Sequence, residues 1–72
     1  MTPTTLNRVG TALYGGFWQT QLADDLGVNP RTLRRWLAGE IPIPDLRAEL
    51  REIARKRREI LHDTMEELRW SE

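Results

Sequence analysis

The segment that most constrains the fold is residues 19–38, QTQLADDLGVNPRTLRRWLA. Apolar or small residues recur on both sides of Gly27 at the spacing of one helix face. They are Leu22, Ala23, Leu26, Val28, Leu33, Trp36 and Leu37. Gly27 suits the left-handed residue that closes a helix, Asn29 suits a cap, and Pro30 suits a first helical position. The sequence therefore predicts two short helices joined by a tight turn, from about Trp18 to Leu26 and from Pro30 to about Ala38.

Helical signals flank this pair on both sides. Thr2 and Pro3 suit the start of a first helix, and the Gly15-Gly16 pair suits its end, because glycine is unfavourable inside a helix. After a stiff extended segment over residues 41–44, a last helix is predicted from near Asp45 to about Trp70. Few residues favour strands, so the predicted class is all-α.

Length and charge place the chain among small globular domains. Its 72 residues suit one domain, and with no cysteine no disulfide or thiolate zinc site can stabilise it. The formal net charge is zero, but residues 1–58 carry a net +4 and residues 59–72 a net −4. A basic body with an acidic end is compatible with nucleic-acid binding despite the neutral total.

The segment LADDLGVNPRTLRRWLAGE resembles the Cro and C1 repressor-like, or lambda-repressor-like, helix-turn-helix family. The resemblance covers roughly residues 13–44 and implies that Ala23 lets the two helices approach while Gly27 makes the turn. It also implies DNA binding by short regulators of bacteria and their phages, with Gln19 on a phosphate. Two features depart from the family: Pro30 stands where a base-reading polar residue is common, and the last helix is long.

The second helix of this pair carries the predicted DNA-reading face. Arg31, Arg34 and Arg35 are spaced to share one side of the helix, opposite its apolar residues. An arginine fork can bond guanine O6 and N7 together, although the sequence leaves open which arginine reads a base and which binds phosphate. A solvated arginine surface is the plainer alternative. The full predicted set is Gln19, Thr20, Asn29, Arg31, Thr32, Arg34 and Arg35.

The last helix carries an apolar stripe longer than a small core can cover. The predicted dimerisation residues are Ile60, Leu61, Met65, Leu68 and Trp70. A break near Arg58 that folds the end back on the first helix is the alternative, and Trp70 would then pack there. Among the other tryptophans, Trp36 is predicted in the core and Trp18 is predicted to pack on the first helix with Phe17.

Catalytic and ligand signals are weak throughout. His62 is the one histidine, without metal ligands at suitable spacing, and Asp24-Asp25 are neighbours that diverge on a helix. No nucleophile–base pair or glycine-rich phosphate loop is present. We expect no enzyme activity, cofactor, metal or small-molecule ligand. We also expect no membrane span or secretory signal, and a cytoplasmic location.

These features together predict a homodimeric, sequence-specific repressor bound to double-stranded DNA at an inverted repeat. Residues 1–44 would form the DNA-binding core, and residues 45–72 a helix that closes the core and dimerises, within one structural domain. Two alternatives remain at this point. One is a phage DNA-directed accessory protein resembling an excisionase or small terminase subunit. The other is an adaptor whose arginine face binds an acidic protein.

Overall fold

A computed structural model describes residues 1–70 of the chain. Four helices follow one another: α1 (Pro3–Tyr14), α2 (Trp18–Leu26), α3 (Pro30–Leu37) and α4 (Arg47–Trp70). The described residues form no strand, so the predicted all-α class is confirmed. None of these helices combines the length and apolarity needed to cross a membrane.

Local capping sets the ends of the first three helices. The Thr2 hydroxyl accepts a hydrogen bond from the Thr5 backbone N–H at 3.1 Å, and α1 ends at Gly15 with φ 86°. The Asn29 side chain accepts from the Arg31 N–H at 2.8 Å, and Gly27 closes α2 with φ 71°. Each cap pairs a backbone group that the helix end leaves without a partner. The boundaries predicted from these residues are confirmed.

α4 begins two residues later than predicted, at Arg47 rather than near Asp45. The Asp45 carboxylate accepts from the backbone N–H of Arg47 at 3.1 Å and from its guanidinium at 2.8 Å. These hydrogen bonds favour the ionised carboxylate and lower the pKa of Asp45 to about 2. Asp45 therefore lies two residues before α4 and binds the backbone N–H of its first residue.

The core lies where α1, α2 and α3 meet. Leu6, Leu22 and Leu33, one from each of these helices, are completely buried. Leu46, which directly precedes α4, and Leu50 within α4 also belong to this core. No polar or charged side chain of residues 1–70 is buried, so burial of apolar surface provides the main stabilisation. Trp36 is buried in this cluster, as predicted.

The Trp18 indole of α2 packs directly on the α1 backbone at Gly10. A Cβ atom at Gly10 would lie 2.1 Å from the Trp18 indole, so only glycine lets the ring lie on the α1 backbone. Burial of Trp18 against α1 is thus confirmed. Phe17 does not join it, contrary to the prediction, and its side chain is 94% exposed. Phe17 precedes the first turn of α2, where consecutive side chains point in different directions.

The C-terminal half of α4 projects from the core, and the chain measures 50 × 22 × 20 Å. A helix of this length spans about 36 Å. The fold-back alternative at Arg58 is wrong, because α4 continues unbroken to Trp70. We call residues 58–70 the tail. Its apolar side chains are 60–76% exposed: Ile60, Leu61, Met65, Leu68 and Trp70. Residues 71 and 72 of the predicted C-terminal element lie outside the described residues.

Trp70 does not pack on α1, the other contact predicted for it. Its ring is 76% exposed and lies 5.2 Å from the Arg69 guanidinium, within the range of a cation–π contact. The projection of α4 carries Trp70 away from α1. Packing of Trp70 on a partner subunit stays a prediction.

Substituting Gly10→Ala tests the Trp18 contact. The added methyl must displace a buried indole, so we expect a loss of about 1–3 kcal/mol in the free energy of unfolding. Urea denaturation followed by circular dichroism measures it. Gly16→Ala is the matched control, because no atom lies within 4 Å of a Cβ at that position. Equal stability of the two variants would contradict the close packing of Trp18 on α1.

Candidate nucleic-acid interface

α3 presents an arginine face because its opposite face is anchored. Leu33 and Trp36 are buried, which fixes the rotation of this eight-residue helix about its axis. Arg31, Arg34 and Arg35 are all exposed on the other side. The sequence spacing thus predicted the placement of all three guanidinium groups.

One of these arginines has an acidic partner that the sequence pattern did not reveal. Arg35 donates from Nε to a Glu40 carboxylate oxygen at 3.1 Å. The turn after α3 makes this possible: Gly39 adopts φ 77°, and the Glu40 N–H donates to the Arg35 carbonyl at 3.0 Å. Within residues 1–70, Arg31 and Arg34 form no ion pair, so the uncompensated charge of the face belongs to them.

The remaining predicted contact residues flank the arginine face. Thr32 is half-buried, whereas Asn29 is exposed and uses its carbonyl oxygen as the α3 cap, which leaves its amide N–H groups available. Gln19 and Thr20 are exposed in the first turn of α2. No side chain caps that helix, so its first backbone N–H groups lack a side-chain acceptor. An anion is favoured at such a helix start.

Phe17 lies against this same helix start and was not predicted there. A shallow surface depression there is lined by Gly16, Phe17, Gln19 and Thr20. The Phe17 side chain is almost completely exposed beside these polar residues. The sequence predicted that Phe17 packs on α1 together with Trp18. Adjacent side chains at a helix start point in different directions, so only Trp18 faces the core.

A second unpredicted arrangement fixes α4 relative to the rest. The Tyr14 hydroxyl of α1 donates a hydrogen bond to the Asp25 carboxylate of α2. The Arg57 guanidinium of α4 lies 4.7 Å from the centre of the Tyr14 ring. Burial of the hydroxyl, followed by its bond to Asp25, raises the pKa of Tyr14 to about 12. Three helices are therefore joined at one tyrosine.

The basic run at residues 55–58 divides among several directions, as its spacing predicts. Arg55 bridges Glu52 at 2.6 Å and Glu59 at 2.5 Å along its own helix. Arg57 lies on Tyr14, while Lys56 and Arg58 are exposed. The run therefore forms no single basic stripe. His62 in the next turn is exposed beside Asp63.

Comparison with known proteins gives no relative. No protein-family model, no curated protein and no solved structure matches the chain. Residues 1–70 also hold no group of three or more side chains suited to a metal ion.

The raised pKa of Tyr14 predicts a loss of stability at alkaline pH. A pKa above the unfolded value of 10.0 means that the stabilising contribution is complete below pH 10. It is lost as the pH rises toward 12 and the hydroxyl ionises. We expect the free energy of unfolding to fall more steeply over this interval in the native chain than in Tyr14→Phe. Parallel slopes in urea titrations of both proteins would contradict the assigned hydrogen bond.

Proposed function

We propose that the protein is a sequence-specific, double-stranded DNA-binding regulator, most simply a homodimeric repressor at an inverted-repeat operator. The observation that carries the proposal is the exposed Arg31–Arg34 face on a short helix held by Leu33 and Trp36. The α2–turn–α3 unit and its resemblance to lambda-repressor-like proteins support it.

α3 would be the recognition helix, lying in the major groove. Within residues 1–70, Arg31 and Arg34 have no acidic partner to leave, so they can offer their full donor set to guanine edges. Arg35 would have to exchange its Glu40 contact for DNA, and it suits a phosphate at the side of the groove. The Arg35–Glu40 contact supports this division of roles, which the sequence left open.

The first turn of α2 would hold the DNA backbone. Its uncapped N–H groups, with Gln19 and Thr20, suit a phosphate oxygen. Asn29 and Thr32 would add contacts beside the start of α3. Such phosphate contacts fix the position of the recognition helix but read no sequence.

A second copy of the chain would cover the exposed tail. Burial of a leucine or isoleucine side chain is worth about 1.5–3 kcal/mol, so the tail residues of two chains suffice for a dimer. Two linked half-sites bind far more tightly than one, because the second contact is intramolecular. Dimerisation through the tail and DNA binding through α3 would use separate surfaces.

Arg34→Ala tests the recognition helix. We expect operator affinity to fall by about 5- to 150-fold, equivalent to 1–3 kcal/mol, and base preference to relax at one position of each half-site. Fluorescence anisotropy on duplexes selected from a random library measures both. The matched control is Arg8→Ala on α1, which removes one exposed arginine outside this face. Wild-type affinity in Arg34→Ala and Arg31→Ala would refute the assignment of α3.

Deleting residues 59–72 tests the role of the tail. The shortened chain should be monomeric and bind the operator weakly, although its arginine face is intact. It should also bind random DNA more tightly at low salt, because a net +4 replaces a net charge of zero. Analytical ultracentrifugation and anisotropy give the two readings. A truncated chain that still dimerises would exclude the tail as the interface.

The adaptor alternative would use the same exposed arginine face, bound to an acidic partner protein. An adaptor would show no preference among duplex sequences, whereas a repressor selects an operator. The same random-library selection therefore separates the two functions.

A further inference from the structure

The apolar face of the tail continues the face by which α4 meets the core. Leu46 and Leu50 are buried and Ile53 and Arg57 half-buried on one side of α4. Leu61, Met65 and Leu68 extend that row by steps of three or four residues, which keeps them on the same side of the helix. The head, residues 1–46, and the exposed stripe therefore lie on one side of α4.

This placement limits how two tails can pair. Paired helices lie about 8–10 Å apart, whereas the molecule is 20–22 Å across its shorter dimensions. In a parallel pair the two heads would lie at the same level along the paired helices. Both heads would then have to fit into the gap of about 8–10 Å between the two α4 helices. An antiparallel pair places each head beside the end of the other tail and avoids that collision.

A groove is present where an antiparallel tail would end. It has a volume of about 410 Å³ and runs between α1 and α4. The apolar side chains of Ala12, Leu13 and Ala54 line the floor of the groove. Arg57, Arg58 and His62 line its border. Leu61 and Met65 extend the lining into the tail. The groove thus combines an apolar floor with a basic border.

Pairing α4 with its own reverse about Leu61 places the basic residues 55–58 opposite residues 64–67, although Glu59 and Asp63 then face each other. Residues 55–58 are all basic, and residues 59–67 contain Glu59, Asp63, Glu66 and Glu67 with no lysine or arginine. Antiparallel pairing centred near Leu61 brings the acidic, apolar end of one tail to the basic border of the other groove. Parallel pairing would instead align like charges within a Debye length, where they repel.

From these features we propose that two copies of the chain pair through their tails in antiparallel orientation, each tail end occupying the groove between α1 and α4 of the other. The inference rests on the proposed homodimer but not on DNA binding. It also sets the spacing of the heads. Leu50 lies 11 residues from Leu61, which places the two Leu50 anchors about 33 Å apart along the helices. Half-sites one turn of B-DNA apart are separated by about 34–36 Å.

Distance measurement between spin labels tests the orientation, and the absence of native cysteine makes single labels unambiguous. Asp63→Cys lies close to the proposed two-fold axis, whereas Ala48→Cys lies about 20 Å from it along the helix. Both positions are exposed. We expect the Ala48 label pair to be separated by about 40 Å and the Asp63 pair by about half that distance. Similar separations at both positions would establish a parallel pair and overturn the proposal.

Charge substitution gives an independent reading by sedimentation. Arg58→Glu should weaken self-association about tenfold, since two symmetry-related attractions become repulsions, and Glu66→Lys should act alike. Combining both substitutions in one chain restores the opposite charges and should recover most of the loss. Arg8→Glu is the control of equal charge change away from α4. No effect of either single substitution would overturn the proposal.

Salt dependence of the native chain adds a test without mutation. Attraction between tails predicts weaker association at 0.5 M than at 0.05 M salt, whereas a parallel pair predicts the reverse. A monomer under all conditions would overturn the proposal, but binding of that monomer to a half-site would leave the recognition by α3 standing. An antiparallel dimer without DNA binding would leave this inference standing and refute the proposed function.

Discussion

Contact between the Trp18 indole and the α1 backbone at Gly10 is the constraint on which the head depends. It sets how closely α1 and α2 approach, and a single methyl group at Gly10 would remove it. α2 in turn determines the position of α3 through the turn at Gly27. The arginine face therefore owes its direction to a glycine and a tryptophan that lie outside it.

α4 is attached to the head by both apolar burial and polar contacts. Leu46 and Leu50 bury apolar area, whereas Arg57 contacts Tyr14 through a cation–π interaction and Tyr14 binds Asp25. These polar contacts lie near the surface, where each contributes little, but they are directional. They can set the angle at which α4 leaves the head without adding much stability. In a dimer, that angle would control the distance between two recognition helices.

The sequence predicted the helix boundaries well because local residues decide them. Thr2, Gly15, Gly27 and Asn29 act through their own backbone or hydroxyl and amide groups, within four residues along the chain. The exposed arginines were also predictable, since helical spacing separates them from Leu33 and Trp36. Contacts across the chain were not predictable in the same way. The Tyr14–Asp25 bond and the exposure of Phe17 depend on how helices pack.

The charges around α3 show the same contrast between what local spacing predicts and what the folded chain brings together. Counting residues within α3 finds three arginines and no acid, which treats the three as equal. Glu40 lies outside that helix, and only the left-handed turn at Gly39 brings it back to Arg35. The glycine after α3 therefore also determines which arginine of the face has an acidic partner.

The position of the acidic residues has a further consequence for a chain of zero net charge. If acidic and basic residues were mixed evenly over the surface, each acid would offset the attraction of a nearby base for phosphate. Charges separated by more than about a Debye length are instead screened from each other by salt. Here residues 59–70 carry four acids against Arg69 alone, and this segment projects from the core along a molecule 50 Å in its long dimension. At physiological salt, the α3 face is thus electrostatically separate from the tail. Under the proposed function, the tail would then carry charges suited to a second copy of the chain while α3 would keep charges suited to DNA.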